Sequence, residues 1–115
     1  MRGTREYRIE LERKRMELLE SVRNRENITI EQAADEIDAM QLAVIRDQAV
    51  TELGRDSRLL REVGGALSRI EDGSYGICED CEEEISSKRL RAIPWARRCV
   101  SCQDALDSAS LPVAA

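Results

Sequence analysis

Four cysteines near the end of the chain have a spacing that could bind a metal ion. Cys78 and Cys81 form one C-x2-C pair, and Cys99 and Cys102 form a second pair after seventeen intervening residues. Two such pairs can converge on one tetrahedral ion. Because four thiolates occupy every coordination position of Zn2+, the spacing predicts one structural zinc ion with no open position for catalysis.

The remaining residue types argue against an enzyme. The 115 residues include no histidine, which excludes His-based acid–base catalysis, nucleophiles that depend on His, and His-containing metal sites. A redox dithiol is the alternative interpretation of each cysteine pair, and two pairs without an alternating strand–helix pattern disfavour it. The bases that could offset the negative charge of a four-thiolate zinc site are Lys88, Arg89, Arg91, Arg97 and Arg98.

Two long helices are expected to precede the cysteines. Apolar residues recur at spacings of three, four and seven over residues 5–23, which predicts an amphipathic helix. That period fails at residues 24–29, and Thr29 with Gln32 forms a capping box, so a second helix is predicted from near Ile30 to Asp72. A helix of roughly 60 Å needs a partner. The first helix supplies it by folding back as an antiparallel hairpin.

The predicted fold class is therefore mainly α, a long antiparallel helical hairpin (coiled coil) with a C-terminal four-cysteine zinc-finger module. Residues 1–72 form the hairpin, residues 73–109 the finger with a short C-terminal helix, and residues 110–115 a flexible tail. A charged fraction of 36% against 3% aromatics is typical of solvated helices. No apolar run is long enough for a bilayer and no signal peptide is evident, so we expect a cytoplasmic protein without membrane contact.

Negative charge is concentrated at the predicted tip of the hairpin. Residues 26–38 contain five acids and no base, which equals the net charge of −5 of the whole chain. A DNA-binding protein is expected to carry a net basic field instead. Residues 79–98 hold as many acids as bases, so sequence-specific DNA binding is not expected, although a DNA-binding zinc finger remains an alternative.

Residues around the cysteines resemble the zinc-finger signature of the DksA/TraR family. The resemblance covers about residues 30–104 and implies a transcription factor that inserts its hairpin into the secondary channel of RNA polymerase. The residues that carry the resemblance are Glu71–Cys81, Ile85, Arg89–Ala92, Pro94 and Cys99–Cys102.

The family carries an Asp-x-x-Asp-x-Ala motif at its tip, and the resemblance assigns Asp35 and Asp38 to its two acids. Met40 stands where the family has Ala. The alternative interpretation of the two aspartates is stabilisation of a helix N-terminus. The resemblance also implies that Arg55 and Arg58 contact the rim of the channel, whereas a solvated helix face is the alternative for both.

Synergy with guanosine tetraphosphate is expected to be weak or absent. In the members of the family that respond to this alarmone, basic residues hold its phosphates, and Glu62, Ile93 and Gln103 stand at the corresponding positions. None of the three is basic. The sequence thus leaves three hypotheses: a polymerase-binding regulator, a DNA-binding zinc-finger protein, and a coiled-coil adaptor with a structural zinc.

Overall fold

The computed structural model describes residues 3–34 and 39–110. Its helices are α1 (Thr4–Ala34), α2 (Ala39–Asp72), α3 (Ser87–Ala92) and α4 (Val100–Ser110). The two long helices followed by a compact cysteine module confirm the predicted fold class. In the two described stretches, no helix has the combination of length and apolar character that crossing a bilayer requires.

The predicted boundary between the two long helices is wrong. α1 does not end at residues 24–29 but continues to Ala34, and α2 begins at Ala39 instead of near Ile30. The physical reason is that Glu31, Gln32, Ala33 and Ala34 are strong helix formers, which outweigh the two preceding asparagines. The capping box assigned to Thr29 therefore lies inside α1.

The chain forms two compact units. The hairpin unit is Glu12–Gly64, and the finger unit combines the start of the chain through Leu11 with the chain from Gly65 onward. Each long helix contributes residues to both units.

The hairpin unit pairs α1 with α2 in antiparallel order. Ser21 Oγ donates to Asp56 Oδ2 at 3.1 Å, Arg25 Nε lies 3.0 Å from Glu52 Oε2, and the Arg25 guanidinium also bonds Asp56. Arg25 follows Ser21 in α1, whereas its partner Glu52 precedes Asp56 in α2. The two helices therefore run in opposite directions. Leu18 is buried on the same side of α1, since residues three and seven positions apart share a helix face.

In the finger unit, α2 ends where the chain adopts a left-handed turn. Gly73 has φ +85°, and the amide of Ser74 donates to the Arg69 carbonyl at 3.0 Å. This is a Schellman motif, which satisfies carbonyl groups at a helix end and favours glycine at the left-handed position. The Asp72 carboxylate accepts from both the amide and the hydroxyl of Ser74, which lowers the pKa of Asp72. The turn directs the chain into the cysteine module.

The core of the finger unit is built around a cysteine. Tyr7 of α1 packs with finger residues, and its ring centroid lies 5.5 Å from that of Tyr75. The core of the finger unit therefore includes a residue from the first turn of α1. Its buried members are Tyr7, Cys78, Ile85, Leu90 and Ala96.

Candidate metal centre

The first cysteine pair lies on a tight loop closed by backbone hydrogen bonds. The amide of Cys78 donates to the Glu83 carbonyl at 2.7 Å, and the amide of Glu82 donates to the Cys78 carbonyl at 3.0 Å. Glu82 occupies the left-handed region with φ +62°, which few non-glycine residues adopt. An isolated antiparallel bridge between Ile77 and Glu84 closes the loop. Cys78 is buried, and Cys81 lies exposed.

The second cysteine pair lies at the start of α4. Cys99 precedes the helix and Cys102 lies in its first turn. The amide of Cys102 points at Cys99 Sγ at 3.5 Å, so the helix N-terminus directs an N–H group towards that sulfur. The amide of Glu79 donates to the Arg97 carbonyl at 2.8 Å, which ties the first loop to the segment that leads into α4.

The four sulfurs converge as the spacing predicts. Cys78, Cys81, Cys99 and Cys102 place their Sγ atoms within 4.8 Å of one another, and Cys81 Sγ lies 3.9 Å from Cys99 Sγ. Zn–S bonds of about 2.3 Å in a tetrahedron require sulfurs about 3.8 Å apart. The donor set and its dimensions therefore fit one zinc ion, and the four thiolates leave no position for a substrate or water.

The thiols differ in their acidity. N–H groups of the Cys81 and then the Cys99 backbone point at the Cys78 sulfur and lower its pKa to about 6. The neighbouring sulfurs of Cys99 and then Cys78 raise the pKa of Cys102 to about 12. Cys78 is thus disposed to be a thiolate at neutral pH, whereas Cys102 would need the positive charge of a bound cation to stabilise its thiolate form.

Arg98 is the base that most directly offsets the negative charge around the cysteines. Its Nε donates to Asp80 Oδ2 at 2.8 Å, and its terminal nitrogen lies 3.1 Å from Glu79 Oε2. These contacts with Asp80 and Glu79 raise the pKa of Arg98. Its backbone carbonyl accepts from Arg89 Nε at 2.8 Å. Both arginines therefore act within the finger, one on acids and one on backbone.

Residues outside the cysteine motif hold the finger in place, and the sequence prediction missed them. Arg69 of α2 points at the carbonyls of Trp95 and Ala96 at 3.3 and 3.5 Å. The hydroxyl of Tyr75 donates to the Pro94 carbonyl at 2.8 Å. Tyr7 of α1, in the finger core, is a third missed residue. Its spacing was a usable signal, because it lies four residues before the buried Leu11 and so shares the same helix face.

The other predicted site residues are placed as follows. Asp35 and Asp38 lie outside the described residues. Arg55 and Arg58 are exposed on α2, and Met40, at the start of that helix, is 78% exposed. Of the residues that the resemblance aligns with alarmone-binding positions, Ile93 packs against the finger core and the Gln103 amide donates to Asp107 at 3.0 Å.

Comparisons with known proteins agree with this architecture. A model of the prokaryotic dksA/traR C4-type zinc finger matches residues 73–107. An uncharacterized 8.5 kDa protein in the gpA 5' region of Escherichia phage 186 is 40% identical over 70 residues, which are 61% of this chain and 83% of that protein. The RNA polymerase-binding transcription factor DksA of Escherichia coli K12 is 32% identical over 76 residues, 64% of this chain and 50% of that protein.

A solved structure extends the likeness beyond the finger. The transcription factor DksA2 from Pseudomonas aeruginosa superimposes with a TM-score of 0.78 at 26% identity, covering 92% of this chain and 84% of that one. The chain spans only about a third of the length of two other curated relatives that it matches, 35% and 34%.

The fold and the site define a helical-hairpin protein with a four-cysteine zinc finger. With the finger match, the phage relative and the structural likeness taken together, the chain belongs to the DksA/TraR family.

Proposed function

We propose that this protein is a non-enzymatic transcription regulator that binds RNA polymerase. The observation that carries the proposal is the structural likeness over 92% of the chain to a transcription factor. It is supported by the 32% identity to a protein named for RNA polymerase binding. The finger adds no catalytic site, because its four donors fill the coordination sphere of the zinc ion.

In the proposed mechanism, the connection between α1 and α2 enters the secondary channel of the polymerase. Asp35 and Asp38 lie in that connection, between Ala34 and Ala39. Their charge changes initiation by favouring one state of the mobile elements near the active site, which requires only a difference in affinity between two polymerase states. Arg55 and Arg58 are exposed on α2 and are available to contact the rim of the channel.

The alarmone guanosine tetraphosphate adds little to this activity in our proposal. A tetraphosphorylated ligand requires basic partners, and Glu62, Ile93 and Gln103 offer none. Ile93 is in addition turned to the finger core and Gln103 is engaged with Asp107.

The test of the proposal combines polymerase capture with in vitro transcription. The zinc-loaded protein is expected to retain core RNA polymerase on a resin. The double variant Asp35→Asn/Asp38→Asn should retain it within about thirtyfold of wild-type affinity, since two exposed charges are together worth under about 2 kcal/mol, and should lose its effect on open-complex lifetime.

A matched control is Asp47→Asn/Glu71→Gln, which removes the same charge from exposed positions of α2 and should leave regulation unchanged. If the wild-type protein captures no polymerase, the proposal is wrong. If the tip variant loses capture instead of regulation, the assigned role of the two aspartates is wrong.

The competing DNA-binding hypothesis loses support from the finger's own contacts. Arg98 is engaged by Asp80 and Glu79, so its charge is already offset by neighbouring acids. Duplex affinity that falls steeply with salt and is reduced by Arg98→Ala would favour DNA binding instead.

A further inference from the structure

Helix α1 carries a second apolar stripe in the hairpin unit, on the side opposite α2. Leu18 is buried at 6% exposure on the side that bears Ser21 and Arg25. Met16 and Leu19, in contrast, are 71% and 49% exposed. At 100° per residue, Met16 points about 170° and Leu19 about 130° away from the mean direction of Leu18, Ser21 and Arg25. Pairing with α2 therefore leaves them uncovered.

Opposite charges flank this stripe. Glu12, Met16, Leu19 and Arg23 follow one another at spacings of four, three and four, which is the a/d pattern of a coiled-coil seam. Glu12 and Arg23 are both exposed. Within the described stretches of the chain, neither side chain makes an ion pair or hydrogen bond. We call the four residues the outer seam of α1.

The outer seam is complementary to itself in antiparallel orientation. A two-fold axis between residues 17 and 18 places Glu12 of one copy opposite Arg23 of another, and Met16 opposite Leu19. In antiparallel helix pairs, a residue at position a of one helix faces a residue at position d of the other. A two-fold symmetric contact also requires that each pairing occur twice, once in each direction, as it does here. We propose that the outer seam binds a second copy of this chain, forming an antiparallel α1–α1 homodimer. The proposal is independent of polymerase binding.

The size of the seam sets the strength of the dimer. From Glu12 to Arg23 the helix rises about 16 Å at 1.5 Å per residue, and two Met16 and two Leu19 side chains form the apolar centre. An interface of this length lies below the roughly 1,200 Å² of stable complexes. The dimer is therefore weak and reversible, with a dissociation constant on the order of 100 µM.

Charge reversal tests the register directly. Sedimentation equilibrium of the full-length, zinc-loaded protein should show a monomer–dimer equilibrium. Glu12→Arg alone, or Arg23→Glu alone, places like charges opposite each other twice per dimer and should raise the dissociation constant about tenfold or more. The double variant Glu12→Arg/Arg23→Glu restores both pairs and should return the constant to within about threefold of wild type.

Two further variants distinguish association through the outer seam from nonspecific hydrophobic association. Met16→Gln/Leu19→Gln should abolish dimerisation, whereas Val50→Gln, which removes an apolar group 68% exposed on α2, should not change it. Circular dichroism of each variant serves as the control that it remains helical. A protein that is monomeric at millimolar concentration, or a double charge variant that fails to recover, overturns the proposal.

Discussion

Single polar residues hold the finger unit together alongside its metal site. Tyr75 is half-buried, and its hydroxyl donates to the carbonyl of Pro94 at 2.8 Å. Burial, and then the neighbouring Tyr7, raise the pKa of the Tyr75 hydroxyl above its ordinary value. The folded protein is therefore more stable with the Tyr75 hydroxyl protonated than with it ionised.

Tyr75→Phe should lower the free energy of unfolding by about 0.5–1.5 kcal/mol at neutral pH, because one buried hydrogen bond is lost. A group whose pKa is raised on folding contributes stability below its unfolded pKa, about 10 for tyrosine, and that stability is lost as pH rises further. The wild-type protein should therefore lose stability above about pH 10 more steeply than the variant. Urea unfolding of the zinc-loaded proteins at several pH values measures both effects, and parallel pH profiles would contradict the assignment.

Helix α2 shows how the same residue type acts differently along one element. Gly64 lies inside the helix, and a Cβ added there would meet nothing within 4 Å. Gly73 follows the helix end at φ +85°, where a side chain is strained whatever the space. One glycine weakens the helix and the other terminates it.

Gly64→Ala should raise the free energy of unfolding by about 0.5–1 kcal/mol, because alanine restricts the unfolded chain and favours the helix. Gly73→Ala should lower it by about 1–2 kcal/mol, the cost of a left-handed conformation for a residue with a Cβ. Chemical denaturation compares the two directly. A rise in the free energy of unfolding in both variants would show that the turn at residue 73 does not need its left-handed backbone, and a fall in both would contradict the prediction for Gly64.

The sequence predicted the two long helices and the metal donors better than the boundaries and the core. The cysteine spacing alone predicts the metal donors, because two C-x2-C pairs have few other uses in a chain without an alternating strand–helix pattern. The predicted turn between α1 and α2 was misplaced because the helix-forming residues 31–34 favour continuation of α1 more than the two preceding asparagines oppose it. Tyr7 was missed because α1 carries apolar residues on two sides, so periodicity alone did not reveal which side faces the finger.

At the scale of the whole molecule, a zinc ion on the four cysteines would support more than the loops that carry them. Tyr7 from the start of the chain shares a core with Cys78, so the first turns of α1 depend on the order of the finger. Trp95, the single tryptophan, is half-buried there and reports on the same unit.

Removal of zinc with a chelator should unfold the finger unit, since structural zinc supplies roughly 10–16 kcal/mol of apparent free energy in small fingers. Trp95 emission should shift to longer wavelength, and amides near Tyr7 and Cys78 should lose at least about a hundredfold of their protection from hydrogen exchange. Amides near Leu18 in the hairpin unit serve as the internal control and should change less. An unchanged Trp95 emission after complete zinc removal would show that the finger holds its fold without metal.

The position of Tyr7 also bears on how the protein is made. Translation delivers this tyrosine long before its core neighbours Ile85 and Leu90. Contacts between such distant parts of a chain form slowly and leave apolar surface uncovered in the meantime. The nascent protein therefore cannot complete this core until the ribosome has added Ala96, the last of its buried members.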